Sequence, residues 1–199
     1  MDGSSGNDQL TSFSNGSRVT LIGGSGNDTL KSWSAYSKLD GGDGADQLYV
    51  GANYSTILGG AGNDSVINYG SYNSILGGTG NDTIENTSIG NYSTLNGGDG
   101  NDIIKAGGAS KDTLIGGKGN DSLWGGYGTD TFTYNYGDGN DVIYGFDNND
   151  LLKITGTFSA SYSKSKGEVY FKVGSDTITL KNYTATTFHV NNKIYTLTK

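Results

Sequence analysis

"GGAGNDSVINYGSYNSILGGTGND" occupies residues 59–82, and it opens and closes on the same acidic glycine turn. Between the two copies lies a neutral stretch of Tyr, Asn and Ser, so the segment alternates between two kinds of turn. Searching outward, the acidic turn returns as "GGSGNDTL" from Gly23, "GGDGADQL" from Gly41, "GGDGNDII" from Gly97, "GGKGNDSL" from Gly116 and "GGYGTDTF" from Gly125. All share the form Gly-Gly-x-Gly-x-Asp-x-apolar. Degenerate copies are "GSSGNDQL" from Gly3, "YGDGNDVI" from Tyr136, and "GGASKDTL" from Gly107 with Ser110 in place of the third Gly. The acidic position falls at Asp28, Asp46, Asp64 and Asp82 in steps of 18, then at Asp102, Asp112, Asp121 and Asp130 after 20, 10, 9 and 9. A step of 18 is two nonapeptides.

A nine-residue unit cannot bury an apolar face alone, so neighbours must stack, and units of two strands and two turns stack into a parallel β-solenoid. The glycines permit positive φ and close backbone approach at the turns, while the tripeptide after each Asp is a short strand with one inward side chain. This predicts a thin two-sheet core, with Leu30, Leu48, Val66, Ile84, Ile104 and Leu123 on one sheet. Leu21, Leu39, Ile57, Ile75, Leu95 and Leu114 face them from the other. The competing reading is a disordered glycine-rich linker, but such a linker needs no fixed spacing of Asp and apolar residue.

Composition agrees with a fold that needs help. Of 199 residues 35 are Gly, none is Pro or Cys, and 33% are hydrophobic, which is lean for a domain held by an apolar core. Twenty acids against 13 bases give a net charge of −7, which disfavours nucleic acid and anionic membrane as partners and favours a cation. No apolar run reaches the length of a transmembrane helix, and "MDGSSGNDQL" lacks the regions of a secretory signal.

Counting back from each Gly-Gly pair places Ser37, Ser55, Asn73 and Ser93 where the acidic turn has Asp, with Tyr36, Tyr54, Tyr72 and Tyr92 just before them. The neutral turns therefore occupy the opposite edge and hold it by side-chain hydrogen bonds and tyrosine stacking. The acidic edge runs through Asp8, Asp28, Asp46, Asp64, Asp82, Asp102, Asp121 and Asp141. Between its stacked turns, carboxylates and glycine-turn carbonyls make an all-oxygen set that suits calcium better than magnesium. The candidate ligands are Gly23, Gly24, Gly26 and Asp28 in one turn, and Gly41, Gly42, Gly44 and Asp46 in the next. Gly59, Gly60, Gly62 and Asp64 follow, then Gly77, Gly78, Gly80 and Asp82. Gly97, Gly98, Gly100 and Asp102 and finally Gly116, Gly117, Gly119 and Asp121 complete the set. Asp112 and Asp130 point to a short metal site on the second edge near the C-terminus. About six or seven calcium ions are expected on the acidic edge, with one more opposite.

The motif resembles that of the repeats-in-toxin (RTX) family of calcium-binding β-rolls, across residues 3–143. The resemblance implies a right-handed parallel β-roll that binds calcium, stays unfolded in low-calcium cytosol and folds outside the cell. Family relatives follow toxins, lipases, proteases and epimerases, or belong to adhesins, so the chain reads as the end of a longer exported protein with an upstream domain. The stretch "YGFDNNDLLKI" resembles the segment after the last repeats in such proteins, whose C-terminal ends carry the signal for type I secretion machinery. The basic, polar end "NNKIYTLTK" has the general character of such a signal.

After Ile143 the pattern changes to ordinary alternation, "EVYFKV", "DTITL", "FHV" and "KIYTL", which predicts an antiparallel β cap over residues 144–199. Its expected core is Phe146, Leu152, Ile154, Tyr170, Val173, Ile178, Leu180 and Ile194. Trp33 and Trp124 are expected to cover a coil edge or the cap. Catalysis has little support: His189 is the only histidine, no Cys nucleophile exists, and the serines lie in turns without a His-acid partner. The tyrosine row, and an outward row of Thr20, Thr56, Ser74, Thr94 and Thr113, leave open a sugar-binding or ice-ordering surface beside the plain reading that stacked identical residues satisfy one another.

Overall fold

The computed structural model describes residues 1–13, 18–87, 92–108, 111–183 and 187–196. Ser110 and the last three residues of the basic end lie outside them. No helix occurs among the described residues, and none could cross a membrane.

Each coil contributes one strand to each of two sheets. The first sheet contains β1 (Gln9–Ser12), β3 (Thr29–Ser32), β5 (Gln47–Val50), β7 (Ser65–Asn68), β9 (Thr83–Asn86), β11 (Ile103–Lys105), β13 (Ser122–Trp124) and β15 (Asp141–Tyr144). The second contains β2 (Thr20–Ser25), β4 (Lys38–Asp43), β6 (Thr56–Ala61), β8 (Ser74–Thr79), β10 (Thr94–Asp99), β12 (Thr113–Lys118), β14 (Thr131–Tyr134) and β16 (Leu151–Ile154). Every neighbouring pair in these two series is parallel, which makes a β-solenoid.

Register follows the repeat. Leu21 lies beside Leu39, Leu39 beside Ile57 and Ile57 beside Ile75. Leu30, Leu48, Val66 and Ile84 do the same on the first sheet. All twelve predicted inward residues are buried. Alternation within each first-sheet strand turns two side chains inward, an aliphatic one and the strand-end residue, as with Leu48 and Val50 in β5 and Val66 and Asn68 in β7, so the double row of aliphatics is flanked by a second buried position.

The C-terminal part closes the open sheet ends. β19 (Asp176–Lys181) adds to β15 and β20 (Thr187–Val190) to β16, both still in parallel. Antiparallel β18 (Glu168–Val173) and β17 (Ser159–Ser163) then cover the first sheet, and β21 (Lys193–Thr196) the second. These hairpins occupy the edge hydrogen-bonding groups that a solenoid otherwise exposes. Phe146, Leu152, Ile154, Val173, Ile178 and Leu180 are buried as expected, but two expected core residues are not. In β18 the inward phase is Val169, Phe171 and Val173, so Tyr170 is half-buried on the other face. In β21, the outermost strand, Ile194 is 70% exposed, while Tyr195 turns inward and stacks on Phe188 at 5.5 Å. Without a repeat to fix the phase, alternation alone chose the wrong face of both strands.

Candidate metal centre

One edge of the roll is a column of aspartates. The backbone N–H of Asp8 donates to Oδ1 of Asp28 at 2.7 Å, and Asp28 to Asp46, Asp46 to Asp64, and Asp64 to Asp82 at 2.7–2.8 Å. Asp82 donates likewise to Asp102, Asp102 to Asp121, and Asp121 to Asp141. From Asp28 onward one carboxylate oxygen of each residue is thus spent on the preceding coil. The other, Oδ2, is buried without a hydrogen-bond partner at Asp8, Asp28, Asp46, Asp64, Asp82, Asp102 and Asp121. Burying an unpaired carboxylate oxygen is costly, and a column of them asks for a compensating charge.

The glycines shape the space beside those oxygens. A Cβ at Gly41 would overlap both Asp46 Oδ2 and the Gly59 carbonyl oxygen, and the same pairing recurs at Gly23, Gly59, Gly77 and Gly97. At Gly42 and Gly44 the φ angles are +106° and +139°, and a Cβ would collide with the carbonyl oxygens of Gly24 and Gly26. Only glycine lets the turns close to this distance. Each turn therefore sets a carboxylate oxygen from its own coil beside a carbonyl oxygen from the next. No three His, Cys, Asp or Glu side chains converge among the described residues; the donors are single carboxylates interleaved with carbonyls. An all-oxygen set of this kind fits a hard divalent cation that accepts many ligands, which is calcium rather than zinc or copper.

Electrostatics agree. Burial pushes the Asp64 and Asp121 carboxyls up to about 7, Asp102 to about 6 and Asp141 to about 8, against the lowering effect of the N–H each accepts. Neighbouring carboxylates raise all four further.

The opposite edge is built differently. Ser37 N–H donates to Ser55 Oγ at 3.1 Å, Ser55 N–H to Asn73 Oδ1 at 2.7 Å, Asn73 N–H to Ser93 Oγ at 3.2 Å, and Ser93 N–H to Asp112 Oδ1 at 2.8 Å. Inside this ladder Asn73 Nδ2 donates to Asn68 Oδ1, Asn68 Nδ2 to Asn86 Oδ1, and Asn86 Nδ2 to Asp112 Oδ2, each at 2.7 Å. Tyr36, Tyr54, Tyr72 and Tyr92 stand outside with φ of 58–59° and ring centroids 5.0–5.2 Å apart. The predicted threonine row is interrupted, since Lys38 lies between Thr20 and Thr56 and pairs with Asp40.

A family model for RTX calcium-binding nonapeptide repeats matches residues 15–33, 39–68, 70–85, 93–110, 106–135 and 137–153, more than half of the chain. The chain belongs to that family. Its repeats are calcium-binding repeats, and the solenoid is an RTX β-roll. No curated protein matches the chain. Among solved structures, that of the extracellular lipase LipA from Serratia marcescens is similar at a TM-score of 0.44 and 19% identity, over 88% of this chain and 40% of the lipase. The chain thus spans less than half the length of that protein.

The roll brings together all eight aspartates of the acidic edge in one column. Asp112 and Asp130 stand on the other edge, where Asp112 has both oxygens hydrogen-bonded and Asp130 Oδ1 accepts Asp112 N–H at 2.8 Å. Trp33 stacks on Phe13 and Trp124 on Tyr144, each on the outside of a coil. Three features were not anticipated. Asp150 continues the second edge by accepting Asp130 N–H at 2.8 Å; its spacing of 20 from Asp130 was a usable signal. The Asn of the "GND" tripeptide forms its own exposed ladder, as where Asn27 N–H meets Asn7 Oδ1 and Asn101 N–H meets Asn81 Oδ1. The buried Asn68 and Asn86 sit at strand ends, where the repeat gives no hint of them.

Proposed function

We propose that this RTX roll is a calcium-triggered folding module of a larger exported protein, unfolded at low calcium and folded outside the cell after type I secretion. The observation that carries the reading is the column of seven buried Oδ2 atoms without partners, opposite an edge where Thr87 Oγ1 is the one such atom among the described residues. In this reading Asp28, Asp46, Asp64, Asp82, Asp102 and Asp121, with the carbonyls of their glycine turns, hold six or seven ions, and Asp8 and Asp141 close the two ends. Calcium bound there supplies the positive charge that the carboxylate column lacks. The chain's own part is to aim Oδ2 into the turn with the N–H···Oδ1 bonds, and to keep side chains out of the turn with glycine. Asp112, with both oxygens engaged, is given no ion. No catalytic role is proposed for His189, half-buried in β20, and any catalysis is assigned to an upstream domain.

Circular dichroism in excess chelator tests the reading. The β signal should be lost, should return with millimolar calcium, and should not return with magnesium. Full β structure in chelator would defeat it. For the export step, the chain is co-expressed with a type I exporter; recovery of folded roll in the medium is expected, and retention in the cell would refute that part alone.

A further inference from the structure

Beyond the tyrosine ladder the outside of the roll opens into a groove of about 650 Å³ that runs from Glu85 to Gly145. Its origin lies in the register. Trp33, Gly51, Tyr69 and Thr87 follow the ends of β3, β5, β7 and β9, and the pairing of Glu85 with Lys105 and of Lys105 with Trp124 carries that position on to Gly107 and Gly126. Early in the roll exposed aromatic rings occupy the row; later two glycines leave it bare. A Cβ at Gly107 would overlap the Thr87 carbonyl oxygen, and one at Gly126 the Gly107 carbonyl oxygen, so backbone oxygens lie along the floor.

Glu85, Lys105, Trp124 and Tyr144 stand side by side in adjacent strands along the groove. Tyr144 covers one face of Trp124, with centroids 4.6 Å apart and planes within 8°. On the other side of Trp124 the row holds Lys105, so that side of the indole has no aromatic neighbour among the described residues. Glu85 and Lys105 form no ion pair with each other among the described residues, and both are exposed. Tyr127, 81% exposed, also lines the groove. The tyrosine ladder offers nothing comparable, because both faces of Tyr54 and of Tyr72 are covered by their neighbours.

A half-buried indole stacked by an aromatic ring on one face only, one carboxylate, one ammonium and glycine-turn carbonyls match a ligand with an apolar C–H face and a rim of groups that both donate and accept. The two charges offset each other, so the groove has no pull for an ion, and its volume falls in the range of small-ligand sites. We propose that this groove binds a neutral saccharide, stacked on Trp124 and hydrogen-bonded through its hydroxyls to Glu85 and Lys105. This goes beyond the calcium reading and uses none of its residues.

The chain has two tryptophans, so Trp33→Phe leaves Trp124 as sole reporter. The calcium-loaded full chain carrying that change is titrated with cellohexaose, maltohexaose, xylohexaose and chitohexaose, after circular dichroism has established that it is folded. At least one sugar should change Trp124 emission saturably. Glu85→Gln and Lys105→Met should each weaken that binding about tenfold or more, the effect of losing a hydrogen bond to a charged group. Tyr72→Ala should leave it unchanged. No saturable response to any of the four sugars overturns the proposal. So does loss of binding in Tyr72→Ala, which would move the site to the ladder, or a response to a tryptic casein digest alone, which would make it a peptide groove. Because the chain is already folded with calcium, each of these failures leaves the calcium reading intact.

Discussion

The two edges of the roll solve one geometric problem with opposite chemistry. Each must reverse the chain once per 18-residue coil and tie each turn to the next, and both do so with a backbone N–H donated to the side chain at the Asp position of the following coil. On the neutral edge the acceptor is Ser or Asn as far as Ser93, whose N–H meets Asp112, and Asn68, Asn73 and Asn86 take up most of the polarity inside, Thr87 Oγ1 excepted. On the acidic edge the acceptor is Asp, whose second oxygen is left over. Turn conformation differs accordingly: the acidic turns put positive φ on glycines, the neutral ones on tyrosines, whose left-handed conformation costs about 1–2 kcal/mol each and is offset by stacking. The neutral edge keeps most of its polar groups paired, whereas the acidic edge leaves a row of carboxylate oxygens for a cation.

Asp64→Ala gives the largest expected break in this comparison. It should remove one or two ions by equilibrium dialysis and raise the calcium midpoint of folding severalfold, whereas Ser55→Ala on the other edge should leave the ion count alone. Equal losses from both would show that the edges do not differ as described.

Asn73→Ala comes next. It strips partners from Ser55 N–H, the Ala52 carbonyl and Asn68 Oδ1 at a buried position, so urea melting in saturating calcium should show a loss of about 1–3 kcal/mol. The number of bound ions should not change.

Protons give a smaller effect of known sign. Carboxyls raised by burial to about 6–8 in the roll, against about 3.9 in the unfolded chain, stabilise the metal-free fold below about pH 4, and that contribution is lost as pH rises through the folded values. In chelator, acidification from pH 8 to pH 5 should therefore recover part of the β signal. With calcium present, the midpoint concentration should fall as pH rises from 6 to 8, and a flat profile would mean that protons and calcium do not share the column. The smallest effect is expected for Tyr72→Ala, at about 0.5–1.5 kcal/mol in thermal melts with no change in calcium midpoint.

The sequence made the roll legible because its period ties three things together: Asp, the inward aliphatic two residues later, and the Gly-Gly pair that opens the turn. Leu48 and Ile57 could be placed on opposite sheets from counting alone, and Ser55 could be set opposite Asp64 without any structural knowledge. Legibility fell where the period did. Tyr170 and Ile194 lie on the unexpected face because a strand of the cap has two possible phases and nothing repeats to choose between them. Asn68 and Asn86 cannot be read from the period because their partners, Asn73 across the turn and side chains of neighbouring coils, meet them only in three dimensions, and Asp150 escapes the motif because no Gly-Gly pair precedes it. The groove beside Trp124 is likewise a product of three-dimensional register, since Gly107 and Gly126 gain meaning only against Trp33 and Tyr69 in earlier coils.

The 18-residue step has a consequence for inheritance. A tandem duplication of one such unit, for instance from Asp46 to the residue before Asp64, would set each new side chain beside an equivalent one, with aliphatic on aliphatic, carboxylate on N–H and ring on ring. The copy would meet neighbours of the kind the original already had. A gene coding for this roll can therefore lengthen or shorten it by unequal crossing-over without inventing a new contact, and the number of acidic turns changes by one each time.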